Sequence, residues 1–130
     1  MEAAIDVKFK AVGGRVGVTL DGIRVLLDAC LATCPQASTQ DFAKQYVMPA
    51  TKSLPAKKRN WVYLEGGKYC AKFTYFISHT WGASAAMLLE AIIVHGENVG
   101  GNPVYYLDIV SEDQHELKQV SVMGVGAGFS

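Results

Sequence analysis

Two apolar segments on either side of a helical one constrain the fold of this chain more than any other feature. Residues 73–77 are aromatic and β-branched, and residues 104–110 are a nearly continuous apolar run, as in strands buried on both faces. Between them, residues 83–95 carry apolar side chains at helical spacing, with Gly96 as the predicted C-cap. A strand, a helix and a strand over about forty residues match a βαβ crossover. We therefore predict an α/β fold with a parallel sheet, in which residues 71–115 form one βαβ unit.

The N-terminal part of the sequence changes its periodicity near Thr19. Residues 5–20 alternate weakly around Gly13-Gly14, a pattern that two short strands joined in a hairpin would explain. From Thr19 onward the apolar residues follow helical spacing, with Thr19 or Asp21 as the N-cap. This first helix is predicted to end before Pro35.

A second helix is predicted after Ser38, which begins a run of hydroxyl side chains suited to capping. Pro49 should end that helix just before itself, because it lacks an N–H group. Residues 52–60 carry four basic side chains around a proline and are predicted to be a solvated loop, with phosphate binding as the alternative. Residues 1–60 are thus predicted to be a helical region that precedes the α/β part, residues 61–119.

Composition and charge narrow the class of protein. With 130 residues, half of them hydrophobic, the chain is long enough for one domain with a core. Twelve acidic and twelve basic side chains cancel, so neither nucleic acid nor an anionic membrane is an expected partner. Apolar stretches are too short to span a bilayer and no signal-peptide pattern is visible, so a cytoplasmic location is expected. Three cysteines without a Cys-x-x-Cys pair favour buried thiols over disulfides or a zinc site.

Polar side chains follow both predicted parallel strands, at the edge of the sheet where ligands usually bind. Ser78, His79 and Trp81 follow the first strand, and Asp108 and residues 111–115 lie at the end of the second. His79 is suited to be a general base or a ligand contact, although a histidine in such a turn often bonds only to loop backbone. Trp81 is suited either to stack on a base or nicotinamide ring or to anchor the helix on the sheet. Asp108 interrupts an apolar strand, and a buried acid needs a partner or a function.

Two residues of the second strand end have further alternatives. Glu112 is a candidate catalytic acid, but an ordinary solvated loop acid would look the same in sequence. His115 has no second histidine at metal-ligand spacing, so no metal site is predicted. No catalytic residue is assigned from the sequence; the candidates are His79, Asp108 and Glu112.

At these two strand ends the sequence resembles the TIR-like (Toll/interleukin-receptor homology) domains of algae and other protists. The matching segments are Phe76-Ile-Ser-His-Thr-Trp81 and Tyr105-Tyr-Leu-Asp-Ile-Val-Ser-Glu-Asp-Gln-His115. Residues 39–51 are similar to the helix that precedes the domain in that family. A more distant similarity is to fungal heterokaryon-incompatibility domains. The resemblance covers residues 38–115.

The resemblance implies a flavodoxin-like parallel sheet, of which residues 61–119 would be a part. The glycine-rich residues 120–130 are predicted from their sequence to be a flexible end. Members of the family signal through self-association, and some hydrolyse NAD at the nicotinamide–ribose bond. Six residues would line the nucleotide cleft by position: Ser78, His79, Trp81, Asp108, Gln114 and His115. Two departures from the family matter. Glu112-Asp113 stands where Asn-Asn is usual, and the Trp-Cys-x-x-Glu context of the catalytic glutamate is absent from this sequence.

Two hypotheses about function follow. In the first, the chain is a TIR-like signalling module that associates with itself or with another TIR-like domain through an unpaired sheet edge. It requires no cofactor and lacks complete catalytic machinery. In the alternative, it is a nucleotide-binding NAD nucleosidase with NAD as substrate or ligand. Trp81 would then stack on a ring, Ser78 and His79 would hold ribose or phosphate, and Asp108 would stabilise positive charge at the ribose.

Overall fold

The computed structural model describes residues 6–116, which are built around a mixed sheet of five strands. The strands are β1 (Val7–Ala11), β2 (Gly17–Thr19), β3 (Cys70–Ala71), β4 (Tyr75–His79) and β5 (Val104–Tyr106). Their order across the sheet is β1-β4-β5-β2-β3; β4 and β5 are parallel, and the other three neighbouring pairs are antiparallel. The predicted flexible end, residues 120–130, lies outside the described residues.

Helical segments connect these strands. They are α1 (Leu20–Thr33), α2 (Thr39–Phe42), α3 (Met48–Thr51), α4 (Ala85–Val99) and α5 (Asp108–Ser111), with a π-helical segment at Ala43–Val47 and 3₁₀ turns within Trp61–Gly67. Among the described helices, none combines the length and the apolar character that crossing a membrane requires.

The predicted βαβ unit is present as β4, α4 and β5. Tyr75 lies beside Tyr105 and Phe76 beside Tyr106 in parallel register. The prediction of a fully parallel, flavodoxin-like sheet is not confirmed, because antiparallel strands flank this parallel pair on both sides. The fold is therefore α/β with a mixed sheet.

The prediction that residues 1–60 form a helical region before the sheet is wrong, because β1 and β2 are strands of the sheet itself. They do not form a hairpin either: β1 pairs with β4, whereas β2 pairs with β5 and β3. Gly14, predicted to turn the hairpin, instead exchanges two backbone hydrogen bonds with Phe73, each of 3.1 Å. A side chain at Gly14 would collide with the Phe73 ring, since a Cβ there would lie 2.1 Å from it.

The helix starts agree with the sequence better than the helix ends do. Thr19 and Ser38 are N-caps, and each side-chain oxygen accepts a hydrogen bond from the amide three residues later. The chain stays helical through Pro49, which lies in the first turn of α3, where its missing N–H group is tolerated. Helix α4 continues past Gly96 to Val99 and is capped by Gly100, whose φ of 71° suits a glycine.

Strand β5 is shorter than predicted, because it ends at Tyr106 and Asp108 begins the short helix α5. The backbone N–H of Leu107 donates to the Ser111 hydroxyl, 3.2 Å away, and this bond helps to turn the chain into α5. Asp108 therefore does not interrupt a strand. It lies in the first turn of a helix, a position that favours an acidic side chain.

The two faces of the sheet have different surroundings. On one face, Ile77 and Tyr105 are buried beneath α4, whose His95 stacks on Phe9 of β1. The alternate residues of β1 and β4 point to the opposite face, where Lys8, Lys10 and Ser78 are exposed. We call this second surface the open face and define it by Lys8, Lys10, Phe76, Ser78 and Tyr106.

Candidate functional site

The ends of the two parallel strands meet through one side-chain pair. His79 is the last residue of β4, and Asp108 follows β5 as the first residue of α5. Nε2 of His79 lies 2.8 Å from Oδ1 of Asp108. A carboxylate oxygen only accepts hydrogen bonds, so Nε2 carries the hydrogen of this bond. Two candidates that are 29 residues apart in the chain are thus in direct contact.

The imidazole of His79 is enclosed. Its side chain is 3% exposed, whereas that of Asp108 is 27% exposed. The second ring nitrogen, Nδ1, is buried and has no hydrogen-bond partner among the described residues. The ring of Trp81 is tilted against the imidazole, with 5.4 Å between centroids. A histidine held by a carboxylate is chemically able to exchange a proton, but here the free nitrogen faces protein rather than solvent.

Trp81 is positioned by the chain that enters α2. Its carbonyl oxygen accepts hydrogen bonds from the Gln40 amide, at 3.1 Å, and from the Thr39 hydroxyl. The Thr39 amide also donates to the Ala83 carbonyl at 2.8 Å, and Thr39 itself is fully buried. The sequence indicated Ser38 and Thr39 only as capping residues. No local pattern could have predicted the long-range hydrogen bonds of Thr39 to the loop after β4.

The loop after α5 is held in place by hydrogen bonds between its side chains and backbone groups of the chain. The Gln114 side chain donates to the Asp108 carbonyl at 2.8 Å. Asp113 is buried, and its carboxylate accepts from the backbone N–H groups of Arg59, His115 and Glu116. Its surroundings therefore assign Asp113 a structural role in closing this loop onto the basic segment at residues 52–60.

Glu112 has a partner on the open face. One of its carboxylate oxygens accepts a hydrogen bond from the Tyr106 hydroxyl. Burial, together with this neighbouring carboxylate, raises the pKa of Tyr106. The tyrosine hydroxyl is consequently a stable donor to Glu112 at neutral pH.

Two of the six residues proposed for one cleft lie elsewhere. Ser78 points to the open face, because successive residues of a strand alternate in direction and His79 points to the covered one. His115 turns towards α3, where Nε2 lies 3.2 Å from the Thr51 hydroxyl and 3.1 Å from the Met48 carbonyl. The structure thus brings together His79, Trp81, Asp108 and Gln114.

The surface depression at this end of β4 is small. It is lined by Asp6, Lys8, Ser78, His79 and Thr80 and has a volume of about 70 Å³. Pockets that enclose small organic ligands usually have volumes of about 300–1,000 Å³. Within residues 6–116, no group of three or more histidine, cysteine or acidic side chains is arranged to hold a metal ion.

A row of side chains crosses the open face at one level. Lys10 of β1 lies beside Phe76 of β4, and Phe76 lies beside Tyr106 of β5. The Phe76 and Tyr106 rings are stacked, with centroids 4.9 Å apart and planes within 7°. Phe76 is nevertheless 39% exposed. The sequence predicted a strand at Phe76 and did not predict the exposure of this side chain.

No family model matches the chain, and comparison with curated proteins and with solved structures finds no significant match. The resemblance of the two strand ends to TIR-like domains therefore stays a prediction.

Proposed function

We propose that this chain is a TIR-like interaction module that acts by associating with itself or with another TIR-like domain, without catalysis of its own. The observation that supports this function best is the open face, on which a large aromatic side chain is presented to solvent in a stacked pair. Aromatic side chains are enriched at the centres of protein interfaces, where they supply much of the binding energy.

The face of the sheet is a better binding surface than its edge. Strand β1 is an edge strand, and Lys8 and Lys10 on it are exposed. Lysines on an edge strand disfavour pairing with another strand, because joining would bring charges close to a new backbone partner. The other edge, β3, has only two residues. Association is therefore proposed to use the side chains of the open face.

The burial of the His79 side chain also favours a module over an enzyme. A substrate would need to reach the His79 imidazole, which is 3% exposed. In the proposed module the bond between His79 and Asp108 ties β4 to the segment after β5. The bond is a side-chain contact beyond the backbone pairing of β4 with β5, which itself places Phe76 beside Tyr106.

One observation favours the alternative, an NAD nucleosidase. The Nδ1 atom of His79 is buried and has no hydrogen-bond partner within residues 6–116, and a catalytic role is one explanation for such an atom. Under this alternative a local opening would admit NAD. Trp81 would stack on the nicotinamide, and Asp108 would stabilise the charge that develops at the ribose.

Incubating the purified chain with NAD while measuring nicotinamide release decides between the two functions. We expect no release above a buffer control, together with association that increases with protein concentration in sedimentation velocity. His79→Gln serves as the test variant, and Glu90→Gln, an exposed acid on α4, is the matched control. Nicotinamide release that persists in Glu90→Gln and is lost in a folded His79→Gln variant would overturn the proposed module.

A further inference from the structure

The row across the open face has opposite charges at its two ends. Lys10 lies at the β1 end, Phe76 and Tyr106 form the middle, and Glu112, bonded to the Tyr106 hydroxyl, lies at the β5 end. Lys8 adds a second positive charge on the β1 side. The surface is therefore positive on its β1 side and aromatic at its centre, where Phe73 also packs on Tyr106, and its carboxylate lies at the Tyr106 hydroxyl.

We infer that two copies of this chain pack open face to open face about a two-fold axis that runs parallel to β4. This inference rests on the proposed function, because it gives the self-association a surface and a geometry. The product would be a two-layered β-sandwich, with the two sheets about 10 Å apart.

The order of the charges selects this axis. A two-fold rotation about an axis parallel to the strands reverses the row, so Lys10 of one copy faces Glu112 of the other. The symmetry makes this contact twice, since the same patch is used on both copies. The two pairs of stacked rings, Phe76 with Tyr106, meet in the middle and lose their exposure to water.

The other in-plane axis is disfavoured by the same charges. A two-fold axis perpendicular to the strands would leave the row in the same order. Lys8 and Lys10 would then face the same lysines of the second copy, and like charges that meet in an interface oppose association. A single polyanionic partner would also use the lysines, but it would be repelled by Glu112 at the other flank. Charge complementarity therefore favours a second copy as the occupant.

Charge-reversal variants test this geometry in the full chain. Lys8→Glu combined with Lys10→Glu should lower the association constant at least about tenfold, and Glu112→Lys should do the same, because each homodimer then has like charges in both contacts. An equimolar mixture of the two should recover association to within about threefold of the unchanged chain, because every contact in the mixed dimer again pairs opposite charges. Sedimentation equilibrium measures all three constants.

Control variants test whether a loss of association is caused by charge on the open face, by the change in net charge or by misfolding. Lys44→Glu combined with Lys52→Glu makes the same change in net charge at exposed positions outside the patch, and it should leave association unchanged. Glu112→Gln keeps an acceptor for the Tyr106 hydroxyl and should weaken association about threefold even if Glu112→Lys fails to fold. Phe76→Ser should weaken it about thirtyfold, as loss of a central aromatic contact does.

Two results would overturn this arrangement. Association that is insensitive to Phe76→Ser and to both charge reversals would place the contact elsewhere, while the proposed module would stand. A mixture of the two charge-reversed chains that associates no better than either alone would also reject the axis. Nicotinamide release by the unchanged chain, in contrast, bears on the proposed function and not on the geometry of the dimer.

Discussion

His95 of α4 packs against three aromatic rings of the sheet below that helix. It stacks on Phe9 with centroids 3.9 Å apart, and its edge contacts are with Tyr75 and Tyr105. Its Nδ1 atom is hydrogen-bonded to the Tyr105 hydroxyl at 2.8 Å. Burial lowers the pKa of His95 from its ordinary value of 6.5 and raises that of Tyr105 to about 12. Both groups are therefore neutral in the folded chain at neutral pH.

The lowered pKa of His95 makes stability depend on pH. Near pH 6.5 the unfolded chain takes up a proton at this residue that the folded chain does not, so acid favours unfolding. We expect the free energy of unfolding to be unaffected by His95 above that pH and to decrease as the pH falls below it. Urea denaturation between about pH 7 and pH 5 should show a shallower decrease for His95→Gln than for the unchanged chain. Equal slopes for the two chains would contradict a lowered pKa of His95 in the folded chain.

The sequence predicted which residues lie at the two strand ends more reliably than the directions of their side chains. His79 and Asp108 were both candidates, and they are in contact. Ser78 and His115 were assigned to the same cleft, but they point away from it. Strand alternation could have separated Ser78 from His79 in advance. The direction of His115 depends on Met48 and Thr51, which are distant in sequence, so no local pattern predicts it.

Among the helices and strands, the sequence correctly predicted features that depend on residues close together in the chain. The Thr19 and Ser38 caps are confirmed, because a cap is a bond between near neighbours in the chain. The pairing of β1 and β2 is wrong, because strand partners are set by contacts over long sequence distances, such as that of Gly14 with Phe73. The apolar residues after Tyr106 form a helix rather than a strand, since a short apolar run has no decisive period.

Gly96 illustrates how packing overrides a local signal. It was predicted to cap α4, but it lies within the helix, where a Cβ would be 2.8 Å from Leu20 Cδ1 and 3.1 Å from the Tyr105 hydroxyl. The glycine is required so that α1 and the sheet can approach α4 closely.

We expect Gly96→Ala to destabilise the fold by about 1–2 kcal/mol, because the strain of overpacking exceeds the gain in helix propensity. Gly82→Ala is the matched control, since a Cβ at Gly82 would have no neighbour within 4 Å. Thermal denaturation of both variants measures the difference. A Gly96→Ala chain that is more stable than the unchanged one would show that propensity decides at this position and that the contact with Leu20 relaxes easily.

At the scale of the whole molecule, the sheet has one covered face and one open face. Helices cover the side of Ile77 and Tyr105, and the row from Lys10 to Tyr106 lies on the other side. Hydrophobicity along the sequence did not distinguish these faces, because both carry aromatic residues. Only the register of β1, β4 and β5 places a lysine, two aromatic rings and a carboxylate in one row.

Substitutions at two adjacent residues of β4 test whether one face of the sheet is covered and the other is exposed. Ile77 is 3% exposed, and Ile77→Ala should cost about 2–5 kcal/mol, because it leaves a cavity beneath the helices. Phe76→Ala should cost only about 1 kcal/mol in dilute solution, where the loss is limited to the stacking of Phe76 on Tyr106. Urea denaturation at low protein concentration compares the two variants. Comparable losses would mean that the open face is covered within the chain itself, and the surface on which association is proposed would then not exist.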